Sequence, residues 1–387
     1  MVSDRALVAE NEVGRINTFF PILQLLGNRW AVSRPWDGLT IGLNLHLTTV
    51  TAALMREIAL GGGTFILSAA NPGTTDPGVV ALLRSGGVEV YTGGALEDRH
   101  LQLLSHSPDI VADVGFDLLN ALLQKRPDLV GRMKGGIEIT RSGIHRLRAL
   151  DSKPDLPIIN MNDGRLKDAI ENRHGVGDGV WKAVSQLTGM HLAGRRVVVV
   201  GYGPVGRGIA ECARSNNMSV SVVESDPIRR LFARHDGYPV PEMMEAASTA
   251  GIIVTATGGS KVVTLEAIRA APTGLVLFNA GRGRDEIDFA ALTAVSERVD
   301  HVADQVVRYR LDNGKFLTLL GGGNPLNIVM NSGSPEPILL QFAVLGLALE
   351  WIAASGALPA GEQIVPDSIE HTAATLALSA LNPTAVS

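Results

Sequence analysis

Gly201-Tyr202-Gly203-Pro204-Val205-Gly206 follows directly on four valines, Val197 to Val200, and leads into a helical stretch, Arg207 to Arg214. A buried strand, a glycine turn and a helix in that order make an anion cradle: Gly201 permits the tight turn, Gly203 lets a pyrophosphate approach the backbone, and Gly206 allows close helix packing. Pro204 and Val205 complete the turn, and the helix start aims its N–H groups at the anion. A second strand, Val220 to Val223, ends at Glu224, where this pattern carries an acid ~20 residues on for the ribose hydroxyls. A carboxylate there repels a 2'-phosphate, so the cofactor expected is NAD rather than NADP. Two later apolar strands, Ile252 to Gly258 and Leu275 to Gly281, end in small and amide residues, among them Thr257, Asn279, Ala280 and Gly281. Local turn hydrogen bonding is one use for Thr257 and Asn279; their shared place at strand ends points to the cofactor cleft.

A cradle of this kind needs a strand-helix framework. The chain has 387 residues, which at ~100 to 200 per domain implies two domains. Before residue 160, Leu39 to Leu45, Thr64 to Ser68, Val88 to Tyr91 and Ile110 to Asp113 read as strands, each followed by a helical pattern. That alternation predicts α/β architecture: a parallel-sheet substrate domain beside a Rossmann NAD-binding domain. The turn cluster Asn71 to Asp76 falls at a strand end, where open parallel sheets bind ligands. The glycines between Gly175 and Gly179 suggest a boundary, giving a substrate domain over 1–178, a dinucleotide domain over 179–330 and a return segment over 331–387.

Composition narrows the class. With 45% hydrophobic and 19% charged residues the chain is globular, and a net charge of -5 gives no attraction for phosphate backbones, so no nucleic-acid partner is expected. The single cysteine, Cys212, excludes an internal disulfide and any multi-thiolate metal site, and no metal is expected. The mixed-charge amino terminus matches no secretory signal, and the apolar run Phe342 to Leu349, too short for a bilayer, reads as part of a core helix ending near Trp351. The cytoplasm is the expected compartment, with no membrane partner.

Over nearly its whole length the sequence resembles the S-adenosylhomocysteine hydrolase family. The resemblance rests on Leu45-His46-Leu47-Thr48, Asn71-Pro72-Gly73-Thr74-Thr75, Thr140 to His145, Asn160-Met161-Asn162-Asp163 with Lys167, Gly201 to Gly208, Glu224-Ser225-Asp226-Pro227, Arg308 to Leu311 with Asn313-Gly314, and Leu326-Asn327. It implies a bound NAD+ that oxidises the 3'-hydroxyl of a nucleoside, so that C4' becomes acidic and the 5' substituent leaves by elimination. It assigns Lys167 to the 3'-hydroxyl, with Glu171, in place of a family aspartate, and Asn172 beside it. His46 takes acid-base or water-handling work near C5', with Thr48 and Asn71 on the substrate. Thr140 and Asn327 match residues that bind the nicotinamide half, while Arg141 and Ser142 stand where the family continues with threonines. A homo-oligomer, dimer or tetramer, is also implied.

Several positions depart from the family. Val50 replaces a glutamate that reads the purine amino group. Val114 replaces an aspartate near the sugar and Ile139 a sugar-binding glutamate, although Asp113 and Glu138 stand one residue earlier. Strand neighbours point to opposite faces, so these acids cannot substitute unless the register shifts. Val176 replaces a cysteine beside the nicotinamide, and Arg282 and Ser334 replace two histidines on the reacting side. The end, Leu381 to Ser387, lacks the Lys- and Tyr-bearing tail. The changes spare the redox apparatus and strike the sugar and C5' contacts. The expected activity is therefore elimination from a 5'-substituted, adenine-type nucleoside in specialised metabolism, a dehydratase where hydroxide leaves. An ordinary adenosylhomocysteinase with a remodelled pocket and a non-catalytic NAD or nucleoside-binding regulator are the alternatives.

Overall fold

The computed structural model describes residues 4–281 and 284–381. Its strands are, in chain order, β1 (Thr40–Leu45), β2 (Thr64–Ala69), β3 (Glu89–Tyr91), β4 (Ile110–Asp113), β5 (Gly135–Glu138), β6 (Pro157–Asn160) and β7 (Arg196–Val200). Then come β8 (Ser219–Val223), β9 (Ile252–Thr255), β10 (Leu275–Asn279), β11 (Ser296–Ala303), β12 (Val306–Leu311), β13 (Phe316–Leu320) and β14 (Gly361–Ile364). The chain divides into two units, Met1–Asp168 with Pro335–Ser387, and Ala169–Ser334; the boundaries expected from sequence were 178/179 and 330/331. The division at Asp168 falls inside a π-helix, Lys167–Gly175, which runs on into the helix Val176–Thr188. The glycines at 175 to 179 are therefore helical.

In the first unit the order β14-β6-β5-β4-β1-β2-β3 forms one sheet, parallel throughout. Its strands are buried, with Ile41, Leu43, Ile110, Val111, Ile158 and Ile159 fully enclosed, as a sheet covered by helices on both faces requires. Local chemistry starts the covering helices: the Asp76 carboxylate accepts from the N–H groups of Gly78 and Val79 and Pro77 takes the first helical position, so Pro77–Ser85 begins where the turn residues end. The return segment supplies β14, which pairs with β6.

The apolar run near residue 345 belongs to a longer helix than expected, Pro335–Ala354. Its length and mean hydropathy of 1.8 would allow a membrane crossing, yet 67% of that stretch is buried in the protein. The absence of a side chain at Gly346 admits the Trp30 ring, which a Cβ would approach to 2.3 Å. Burial accounts for the apolar composition.

The second unit has the order β11-β12-β13-β10-β9-β7-β8. The β7, β8, β9, β10 and β13 pairings are parallel, and β12 runs antiparallel to both β11 and β13. The α/β architecture read from the sequence is thus observed, with an antiparallel edge that the strand pattern did not announce.

Candidate functional site

Among the parallel strands of each unit the order reverses at one place: between β1 and β4 in the first, between β7 and β9 in the second. The crevice outside the carboxyl ends of the strands at such a reversal is the binding position of open α/β sheets. The loops that flank it are His46–Thr48 and Val114–Phe116 in the first unit, and Gly201–Gly203 and Ala256–Gly259 in the second.

The second unit's crevice is built for close backbone approach. Gly201 has φ +101°, a left-handed conformation that disfavours side chains, and a Cβ there would meet the Ala256 carbonyl at 2.7 Å. At Gly206 a Cβ would lie 2.0 Å from the Gly201 oxygen, so the turn admits only glycine. The following helix runs Pro204–Ser215, three residues earlier in its start than the sequence reading. Its N-cap is Gly203, with no side-chain cap, which leaves the first-turn N–H groups to an anion. Glu224, just past β8, accepts from the N–H groups of Tyr202 at 2.7 Å, Ser225 at 2.8 Å and Asp226 at 2.9 Å. Its carboxylate is thereby fixed beside the cradle.

Farther along, buried Asn327 carries an Oδ1 with no hydrogen-bond partner. A buried amide oxygen left unsatisfied costs about 1–3 kcal/mol, which a bound carboxamide or similar donor would relieve. The cradle, the fixed acid and this orphaned oxygen together fit a dinucleotide.

Thr257 and Asn279 brace the cleft from within. Glu286, fully buried in the short 3-10 turn Arg284–Glu286, accepts from Thr257 N at 2.9 Å, Thr257 Oγ1 at 2.7 Å and Gly258 N at 2.8 Å. Asn279 accepts from Thr255 Oγ1 and Gly281 N, and donates to the Gly281 and Gly323 carbonyls. Both polar side chains have protein partners, so direct ligand contact here falls to backbone around Thr257, Ala280 and Gly281. Glu286 was missed by sequence reasoning, since an acid twenty-nine positions past Thr257 carries no local signal.

In the first unit, a polar row crosses the sheet near the carboxyl ends of its strands: Ser68 pairs with Asn44, Asp113 with Glu138, and Glu138 with Asn160. All five are fully buried. Ser68 Oγ donates to Asn44 Oδ1 at 2.9 Å, Asn44 Nδ2 to Asp113 Oδ1 at 2.7 Å, and Leu119 N to Asp113 Oδ2 at 2.9 Å. Glu138 accepts from Gly115 N, Phe116 N, Thr140 N and Thr140 Oγ1 at 2.6–3.0 Å. Burial pushes Glu138 up to about 8 and the Asp113 carboxyl adds to that push, while the Thr140 hydroxyl and backbone donors oppose it.

The register is unbroken to Asp113 and Glu138, and Val114 and Ile139 are the first residues past the two strands. Val50 and Ile139 are buried and Val114 is half-buried. The neighbouring acids remain tied to Asn44 and to backbone N–H groups of the loops and helix that follow.

His46 and Thr48 follow β1; His46 Nδ1 lies 2.6 Å from Thr74 Oγ1, and the His46 carbonyl accepts from Thr51 Oγ1 at 2.5 Å. Asn71 Oδ1 accepts from Gly73 N at 2.8 Å, holding the turn after β2 that presents Thr74. Thr140 caps the helix Arg141–Arg148 through Gly143 N, with Ser142 Oγ 3.3 Å from its hydroxyl and Arg141 exposed. Its hydroxyl is thus engaged within the protein. Lys167 is buried at the start of the π-helix, which also carries Glu171 and Asn172, both half-buried. Wide π turns are rare and gather at functional sites.

Ser334 Oγ donates to Asp178 at 2.8 Å and lies 3.2 Å from Lys182 Nζ, so it caps an ion pair on the helix Val176–Thr188. Arg282 and the tail beyond Leu381 lie outside the described residues.

Residues 172–333 match the family model of the S-adenosyl-L-homocysteine hydrolase NAD-binding domain. The S-inosyl-L-homocysteine hydrolase of Methanopyrus kandleri is 36% identical over 93% of this chain and 88% of its own. An adenosylhomocysteinase of Thermococcus kodakarensis is 34% identical over 96% of this chain and 90% of its own. Among solved structures, the dipicolinate synthase A chain of Bacillus subtilis overlaps 82% of this chain and 98% of its own at 14% identity, with a TM-score of 0.49, and no functional argument rests on it. Identity at the level of the two hydrolases, sustained over nearly the whole chain, places the protein in the S-adenosyl-L-homocysteine hydrolase family, as a hydrolase-type enzyme with NAD as its cofactor.

Proposed function

We propose that this member of the family acts on a 5'-substituted nucleoside by transient oxidation at C3' and elimination across C4'–C5', without returning water to the alkene. The feature that carries the reading is selective: by the family resemblance Lys167 and Asn172 keep the expected identity and Glu171 the expected charge, while Val50, Val114 and Ile139 stand where that resemblance implies acids for base and sugar. NAD, when bound, supplies reversible two-electron oxidation of a sugar carbon.

The chain's own residues handle protons and orientation. Lys167, buried and therefore poorly hydrated, takes the proton of the 3'-hydroxyl oxygen at Nζ. Glu171 and Asn172 lie four and five residues on in the same π-helix. With a ketone at C3', the C4'–H bond breaks heterolytically and its electron pair forms the alkene as the 5' substituent departs. His46, its ring oriented by Thr74, takes the C4' proton and delivers it to that leaving group; with the hydride returned to C3' and the proton held on Lys167 going back to the 3'-oxygen, the alcohol is restored, so that when hydroxide leaves the products are water and a 4',5'-unsaturated nucleoside. The apolar Val114 and Ile139 favour this outcome because they offer no polar group to seat a water for re-addition.

The names of the relatives favour a second reading, hydrolysis of a nucleoside homocysteine thioether with adenine or hypoxanthine as base. Incubating the protein and NAD+ with 5'-substituted adenine and hypoxanthine nucleosides separates the two by mass spectrometry. Loss of water from a 5'-hydroxyl nucleoside is expected; rapid homocysteine release from a thioether would replace the first reading with the second.

A further inference from the structure

The π-helical segment that carries Glu171 and Asn172 is fastened to the dinucleotide helix by contacts that the reaction itself does not require. Within the second unit, Arg173 lays its guanidinium on Glu211 with a two-pronged hydrogen bond, Nε to Oε2 at 2.8 Å and Nη2 to Oε1 at 2.6 Å. Glu211 belongs to the helix Pro204–Ser215 that opens the cofactor cradle. On the same helix, the Arg207 guanidinium lies 3.4 Å from Glu211 and 3.2 Å from Asp236. Asp236 in turn accepts from the Tyr202 hydroxyl at 2.8 Å, and Tyr202 is the second residue of the glycine turn.

The backbones meet as well. A Cβ at Gly208 would fall 1.6 Å from the Arg173 carbonyl oxygen, and one at Gly177 would fall 2.6 Å from the Gly208 carbonyl. Two glycines, one on each segment, thus let the segment lie directly on the dinucleotide helix. The ion pair forms over that backbone contact.

We propose that Arg173 and Glu211 are positioning residues, which couple occupancy of the dinucleotide cradle to the geometry of the π-helical segment through Arg207, Asp236 and Tyr202. The importance of that geometry for turnover rests on the function proposed above; the coupling itself does not. Tyr202 sits in the turn a pyrophosphate approaches, so a ligand that orders the turn orders Asp236, Arg207 and Glu211 in sequence. Arg173 is the terminal contact. Arginine suits this place because its rigid fork fixes direction as well as distance, which a lysine ammonium does not.

Hydrogen exchange of the full chain, with and without saturating NAD+, tests this without any turnover. Peptides covering 169–175 gain protection on NAD+ binding in the native protein, alongside those covering 201–206. Arg173→Gln and Glu211→Gln each abolish the gain at 169–175 and keep that at 201–206. By linkage, NAD+ affinity measured by calorimetry falls about threefold to tenfold in each, the factor by which binding had stabilised the segment. Native protein in which NAD+ protects 201–206 and leaves 169–175 unchanged would overturn the proposal, as would full retention of the gain in Arg173→Gln. Failure of every nucleoside to turn over would sink the proposed function and leave this result standing.

Discussion

Asp113 and Glu138 stand directly opposite one another on β4 and β5, in register and fully buried, and both are held by backbone N–H groups. Their neighbours Val114 and Ile139 are therefore the residues presented beyond the row. The carboxylates one position away in sequence are already engaged by backbone N–H groups.

If Glu138 is a structural acceptor, Glu138→Gln turns an NH2 group toward backbone donors that need an acceptor. Such a mismatch costs about 1–3 kcal/mol, readable as a lower urea midpoint with unchanged slope. A variant as stable as the native chain would show that the row does not hold the loops after β4 and β5.

Val50 lies in the first turn of the helix Thr49–Ile58, where an acid is favoured by the helix dipole. Val50→Glu supplies the group with which the family reads a purine amino function. Calorimetry should show it raising the preference for adenine over hypoxanthine nucleosides by about tenfold, since a charge-assisted hydrogen bond contributes ~1.5–3 kcal/mol. An unchanged ratio would move the base elsewhere.

Lys167→Ala removes the proposed proton acceptor and should lower turnover by about 10²- to 10⁴-fold while NAD+ binding persists. Rapid-quench product analysis with a matched NAD+ titration checks both halves. A variant with native turnover would relieve Lys167 of its role.

Asn327→Ala deletes the buried oxygen that has no protein partner. Because nothing in the protein satisfies that atom, the cofactor-free variant should be as stable as the native chain, yet bind NAD+ about tenfold more weakly, consistent with one lost hydrogen bond of ~1 kcal/mol or more. Thermal unfolding with and without NAD+ reads both values. Equal stabilisation by NAD+ in the two proteins would count against this placement of the carboxamide.

Arg148 holds β14 to the first sheet through Glu362 at 2.6 Å and Asp163 at 2.7 Å. The Arg148 hydrogen bond, backed by Asn160, keeps the Glu362 carboxyl below its ordinary range. At Asp163 partial burial works the other way, and hydrogen bonds from Arg148, Asn162 and Asn160 outweigh it. Carboxyls depressed on folding contribute stability above their unfolded values, ~4, and lose it as pH falls through the folded ones. Arg148→Met should thus lower stability by about 0.5–1 kcal/mol at pH 7, after screening of these partly exposed groups, and by much less near pH 3. A pH-independent difference would assign the effect to lost packing.

The glycine cradle was legible in the sequence because its parts are contiguous: strand, turn and helix are neighbours along the chain, and Gly201 and Gly206 are demanded by sterics within six residues. The α/β architecture was legible for the same reason, since the strands and helices read in the sequence announce themselves by local periodicity, while the antiparallel edge did not. Tertiary structure alone decided which side chains were still open to a ligand. Thr257 acquired Glu286, and Asn279 acquired Thr255 and Gly323, through contacts that pairing and loop closure create. The resemblance to known hydrolases marked Val114 and Ile139 as departures, but only the folded chain showed that their acidic neighbours are buried and bound to backbone N–H groups. A hydrogen bond between residues distant in sequence exists only once the chain has folded, so no local pattern can encode it by itself.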